Sequence, residues 1–248
     1  MIKIIYSGIR SENYDPQRPS FERANFYPTF VSMPGVTVIE HPFDRILEVG
    51  RERFNEELLG LVEREKPDLV FAFMYTDEFE PRVLRAIREK TVTLAWFADD
   101  YWRFWNYSKH WPPYFTWVVT TYSKALTWYR NLGFDNVILS QWGCNAAVCK
   151  PLNLKKDIAA SFVGQYKPQR AAVIHALRQA GIVVETFGFG WPKGKISQEE
   201  MIKIFSRSQI NLNLNTPPGL FSPRVLGRLF FKKSLNRLVP DFNLADNF

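Results

Sequence analysis

The residues equipped for chemistry fall into two groups. In Trp96-Phe97-Ala98-Asp99-Asp100-Tyr101-Trp102, two adjacent acids follow an apolar run. Desolvation by aromatic bulk raises the pKa of a carboxyl, so Asp99 or Asp100 could take a proton from a hydroxyl as a general base. The plainer reading is a polar turn or helix cap. The pair lacks the spacer of an Asp-x-Asp metal motif, so no metal ligand is expected here.

The second group is spread through Ser161 to Lys195 and comprises Gly164, Arg170, Gly188, Gly190, Trp191 and Lys193. Glycines let a ligand approach the backbone closely. Arg170 falls in the first turn of an expected helix, where a cation opposes the helix dipole unless an anion lies nearby. Free N–H groups, a glycine and an arginine together suit a phosphate. Lys193 could neutralise charge developing on a departing diphosphate. Trp191 could stack on a base or sugar, or simply fill a core, and Arg170 could point into water. Asn213 and Asn215, at the end of an alternating run, could bind sugar or ribose hydroxyls. His41, His110 and His175 pair with no serine or cysteine in a hydrolase pattern.

These groups need strands and helices to hold them. Apolar runs at Ile2–Tyr6, Val36–Glu40, Leu69–Phe73, Val92–Phe97, Thr116–Thr120 and Asn136–Leu139 read as strands, the middle ones buried on both faces. Helical periodicity appears after Ser20, over Ile46–Arg64 (with Leu47, Phe54, Leu58, Leu61 and Val62 on one side), over Glu80–Lys90, and from Ser123 to Leu132. The polar stretch Asn145–Asp157 reads as a linker. Beyond it, Ile158–Val163 is a strand and Pro168 opens a helix with Ala172, Val173, Ala176, Leu177 and Ala180 on one face. Val183–Phe187 is a second strand, Ser197 caps a short helix, and Gln209–Leu214 is a third strand. Alternating strands and helices with short connections predict an α/β protein with doubly wound, mostly parallel sheets. The expected domains are 1–150 and 151–248, the second short for a complete Rossmann-like unit.

The chain has 248 residues, is 46% hydrophobic, and carries a formal net charge of +7. That charge suits anionic partners, yet basic residues occur in pairs at most, which favours a phosphorylated small molecule over nucleic acid. The start, MIKIIYSG, reads as a strand and not a signal peptide, and no stretch approaches the ~18 apolar residues of a membrane span. Cys144 and Cys149 match no zinc or redox spacing, so a reduced, cytoplasmic protein is expected.

WFADDYWRF, YFTWVVTT, VILSQWGCN, the FVGQ-x₄-R turn, FGFGWPKGKIS and SQINLNLN together resemble the CgeB-like (spore maturation protein) glycosyltransferases, over about Pro67 to Arg228. The resemblance implies a GT-B-like architecture, two Rossmann-like domains facing a cleft. It implies metal-independent transfer of a sugar from a nucleotide-sugar co-substrate to an acceptor hydroxyl on a glycan, protein or small molecule. Gly164, Arg170, Gly188, Gly190, Trp191, Lys193, Asn213, Asn215 and Arg228 would then line the donor side, and Asp99 or Asp100 the acceptor side. The chain departs from the family after Gly227-Arg228-Leu229-Phe230, where Phe231 replaces an acid and the glycine-rich run is missing. The alternative implied by that departure is a non-catalytic module that binds a nucleotide sugar or a glycan.

Overall fold

A computed structural model describes residues 1–16, 20–215, 231–234 and 237–240. The chain divides into two compact units, one of residues 1–145 with 226–248 and one of residues 146–225. The division thus falls near the expected linker, and the end of the chain groups with the first unit.

The first unit holds β1 (Ile2–Gly8), α1 (Phe21–Ser32), β2 (Val36–Pro42), α2 (Ile46–Glu65), β3 (Leu69–Phe73), α3 (Pro81–Arg88), β4 (Val92–Phe97), α4 (Asp100–Arg103), β5 (Trp117–Thr120), α5 (Ser123–Asn131) and β6 (Val137–Leu139). The six strands form one parallel sheet in the order β2-β1-β3-β4-β5-β6. Strand residues alternate between its faces. Ile5, Val70, Ala72, Ala95, Phe97 and Val118 pack with Phe54, Leu58, Leu84 and Tyr129 from the helices, while Tyr6, Phe71, Phe73 and Trp96 pack with Phe26 and Phe30.

The second unit is smaller. Its β7 (Ile158–Val163), β8 (Val184–Phe187) and β9 (Ser208–Asn211) form a parallel sheet in the order β8-β7-β9, accompanied by α6 (Pro168–Gln179) and α7 (Gln198–Arg207). The molecule is therefore α/β with two Rossmann-like parallel sheets, the second of three strands among the described residues. A hairpin of β10 (Phe231–Ser234) and β11 (Arg237–Pro240) follows. Among the described residues no helix is long and apolar enough to cross a membrane.

Three local expectations are corrected. Gly50, at φ 80°, breaks the regular course of α2 and resets its phase, so Ile46 is buried and Leu47 is 61% exposed. In α6 the buried side is Ile174 with Ala171 and Leu177, whereas Val173 faces outward. The third strand of the second unit ends at Asn211, although Leu212 and Leu214 still pack against the core beside Phe162 and Ile174. Ser208 and Ser161 are fully buried with their hydroxyls 2.8 Å apart, and Ser161 donates to Asn211 Oδ1 at 2.8 Å.

Candidate functional site

Open parallel sheets bind ligands beyond the carboxyl ends of their strands, at the point where the strand order reverses. In the second unit that point lies between β7 and β9. The loop leaving β7 begins at Gly164, and the segment leaving β9 runs through Leu212 to Asn215. Arg170, in the first turn of α6, spans the two: Nε donates to the Leu214 carbonyl at 2.9 Å and Nη1 to the Gln165 carbonyl at 2.9 Å. Its guanidinium lies 5.5 Å from the centre of the Phe162 ring. Both oxygens are neutral, so the guanidinium keeps its positive charge at the reversal point.

The N-terminus of α6 is uncapped, as are those of α3 and α5. It has no side-chain cap and no acid in its first turn, whereas α7 is capped by Ser197 and carries Glu199 and Glu200. Uncapped N–H groups and the positive end of the dipole favour an anion there.

Beside this entrance the loops after β7 and β8 are locked together. Gly188 has φ 123°, and a Cβ on it would overlap the Gly164 carbonyl, so only glycine fits. A Cβ on Gly190 would press within 2.7 Å of Tyr166 Cβ. The backbone joins in, with Gly164 N–H donating to the Phe187 carbonyl at 2.8 Å and Tyr166 N–H to that of Phe189 at 2.8 Å.

Of the two readings of Trp191 the structure has the core-filling one, and Lys193 is engaged by a carboxylate. Trp191 is only 9% exposed, its indole N–H donates to the Gly164 carbonyl at 2.9 Å, and its ring packs against Phe162 and Tyr166. It fastens the two loops and offers no open face for a base or sugar. Lys193 Nζ pairs with Glu185 at 2.5 Å, so its charge is already balanced. Asn213 and Asn215 are exposed beside Leu214. Arg228 lies outside the described residues.

In the first unit the strand order reverses between β1 and β3, and here a carboxyl group sits at the centre. Glu78, in the loop after β3, is fully buried. It accepts from the Thr76 N–H at 2.8 Å, from the Thr76 hydroxyl at 2.5 Å, and from the Tyr14 hydroxyl at 3.3 Å. Tyr14 comes from the loop after β1, held at φ 60°, a left-handed conformation that costs a tyrosine strain. Burial pushes the Glu78 carboxyl up, against the opposing hydrogen bonds from Thr76. Asn55 of α2 fixes this loop through the Glu78 carbonyl and the Glu80 N–H, both at 2.8 Å. None of Tyr14, Thr76 and Glu78 was singled out from the sequence, although a polar Thr-Asp-Glu after an apolar strand is a usable signal.

The acid pair after β4 separates by environment. Asp100 is fully buried under α5, where the Tyr129 hydroxyl donates to its Oδ2 at 3.2 Å. Its Oδ1 is buried without a partner. Burial raises its pKa, and the hydroxyls of Ser108, Thr120 and Tyr129 together with Arg103 oppose that shift. Asp99 precedes α4 and is half-exposed. Its carbonyl accepts from Arg103 N–H at 2.9 Å, and its carboxyl makes no cap. Enclosure thus makes Asp100 a packing acid and leaves Asp99 as the more exposed member of the pair. The Tyr107 hydroxyl donates to the Thr76 carbonyl, joining the segment after β4 to the loop that carries Glu78. Among the described residues no three of His, Cys, Asp and Glu are grouped as a metal site requires.

No family model matches the chain, and no curated protein is similar to it in sequence. Solved structures of similar shape include UDP-GlcNAc 2-epimerase from Neisseria meningitidis bound to UDP-GlcNAc, at 10% identity over 85% of this chain and 77% of that one, with a TM-score of 0.46. Another is a putative UDP-N-acetylglucosamine 2-epimerase from Listeria monocytogenes, at 11% identity over 86% and 69%, with a TM-score of 0.49. A third is S. aureus MnaA with UDP, at 13% identity over 86% and 70%, with a TM-score of 0.42.

Proposed function

We propose that the chain is a glycosyltransferase of GT-B type, moving a sugar from a nucleotide-sugar donor to an acceptor hydroxyl without a metal. The observation that carries the reading is Arg170, a cation at the reversal point of the second sheet beside the uncapped N-terminus of α6. A diphosphate placed there would meet N–H groups, the helix dipole and the guanidinium, and the same groups would stabilise it as a leaving group. Gly164, Gly188 and Gly190 hold the shelf behind it. Asn213 and Asn215, exposed on the segment leaving β9 whose Leu214 carbonyl Arg170 holds, would meet ribose or sugar hydroxyls. Asp99 is the general base toward the acceptor.

Incubating the chain with a panel of nucleotide sugars and acceptors, and following release of the nucleoside diphosphate, tests this reading. Asp99→Asn is expected to lower turnover by about a hundredfold or more, the usual scale for a lost general base, while donor binding persists. Donor binding by the parent chain with no turnover toward any acceptor would instead support the non-catalytic module.

A further inference from the structure

The aromatic residues after β4 and β5 do not all serve the core. Tyr122 and Trp128 pack against it with one side, but Tyr101 and Trp105 stand outside, 49% and 46% exposed. The four rings form a continuous row. Tyr101 meets Tyr122 at 6.4 Å between centroids, Tyr122 meets Trp128 at 5.5 Å, and Trp128 meets Trp105 at 5.6 Å. Beneath the row Phe104, fully buried, touches Trp105 edge-on at 4.9 Å, Trp128 at 5.1 Å and Tyr129 at 4.7 Å. Trp105 and Trp128 are therefore held from below by Phe104. Large exposed rings gathered in one patch mark a binding surface more often than chance.

We propose that this row is a platform on which a carbohydrate chain, the acceptor, stacks. The proposal rests on the transfer reading above and names its acceptor class. A sugar ring has a C–H face that packs on a flat π surface, with hydroxyls at its edge that need polar neighbours. Aromatic residues with polar tips suit such an amphipathic partner. Ser123, Thr127 and Lys124 are exposed on α5, which supplies Tyr122's neighbour Trp128. Tyr101 belongs to α4, the short helix that the candidate base Asp99 precedes, so the row begins on the same segment after β4. Successive rings meet at 71°, 59° and 41°, a stepped surface that fits a chain of linked, mutually rotated sugars. A single-stranded nucleic acid would also stack on aromatic rings, with Lys109 Nζ 5.8 Å from the centre of the Trp105 ring to meet a phosphate, and its steep salt dependence distinguishes it from a neutral sugar.

Titrating the chain with neutral xylo-, chito- and malto-oligosaccharides tests the platform. At least one series is expected to bind saturably and with little salt dependence. Trp105→Ala and Tyr101→Ala are each expected to weaken that binding by about tenfold, as loss of an anchoring aromatic does. Both side chains are about half exposed, so only a small fall in melting temperature is expected, and the nucleoside-diphosphate affinity is expected to hold. Binding by none of the series, or affinity unchanged in both variants, overturns the platform. So does binding confined to single-stranded oligonucleotides with a steep salt dependence. If oligosaccharides bind but no nucleoside diphosphate does, the platform stands and the transfer reading fails.

Discussion

The two sheets close their strand-reversal points by opposite means. In the first unit the link across the gap is Tyr14 to Glu78, a buried carboxyl with hydroxyl and amide donors around it. In the second it is Arg170, a permanent cation held by two backbone carbonyls next to glycine turns packed on each other. A buried carboxyl can hold or release a proton as its surroundings change. A guanidinium cannot deprotonate, and glycine turns bring backbone N–H groups close to a ligand. The first unit thus carries a titratable group at its reversal point and the second a fixed positive charge, the feature on which the proposed anion site rests. Neither property follows from the shared α/β topology.

The comparison can be broken most severely at Gly188. Gly188→Ala forces a Cβ onto the Gly164 carbonyl in a left-handed conformation, with an expected loss of about 3 kcal/mol or more. Gly181→Ala is the control, because Gly181 also has positive φ (82°) but open space around it, so only about 1–2 kcal/mol is expected. Thermal or urea unfolding of both variants separates close approach from backbone strain.

The pH response comes next. Burial lowers His41, packed on Phe54 beside Ser7, to about 4 from its ordinary 6.5. The unfolded chain then takes up a proton that the fold refuses, so stability is lost as the pH falls from 6.5 toward 4. The expected loss is about 3 kcal/mol. His41→Asn is expected to flatten that limb of a urea-stability profile. Glu78 and Asp100 carry the opposite sign. Burial raises both, so the stability of their protonated forms is present below the ordinary carboxylate range and lost as the pH rises through the folded values. Glu78→Gln is expected to make the profile less steep on the alkaline side, and an unchanged slope would remove Glu78 from the account.

The smallest effect belongs to Lys193. Its pair with Glu185 is partly exposed at 54% and 34%, so Lys193→Ala is expected to cost less than about 1 kcal/mol and to leave nucleotide affinity nearly unchanged. A large loss of affinity in that variant would return Lys193 to the phosphate site.

Much of the fold was legible because buried parallel strands are continuous apolar runs: Leu69–Phe73, Val92–Phe97 and Ile158–Val163 have the same bounds in the sequence reading and the structure. Helix faces were less legible. One glycine with positive φ rotated the start of α2, and contact with β7 and β8 selected Ile174 over Val173 in α6. The site was legible only in part. Gly188 and Gly164 announce a tight turn, but that each needs the other depends on the pairing of β7 with β8. The carbonyls that hold Arg170 lie forty-four and five residues away in the chain, and only the order β8-β7-β9 brings them together. Asp99 and Asp100 look alike in sequence, and the enclosure of Asp100 with Tyr129, Ser108 and Thr120 tells them apart.

The most direct test of an anion site at Arg170 is calorimetric titration of the chain and of Arg170→Ala with a set of nucleoside diphosphates. The account predicts saturable binding of at least one nucleotide. It also predicts a loss of about tenfold or more in the variant, the scale of a charged hydrogen bond removed. No binding by any nucleotide, or the same affinity in both proteins, would contradict it.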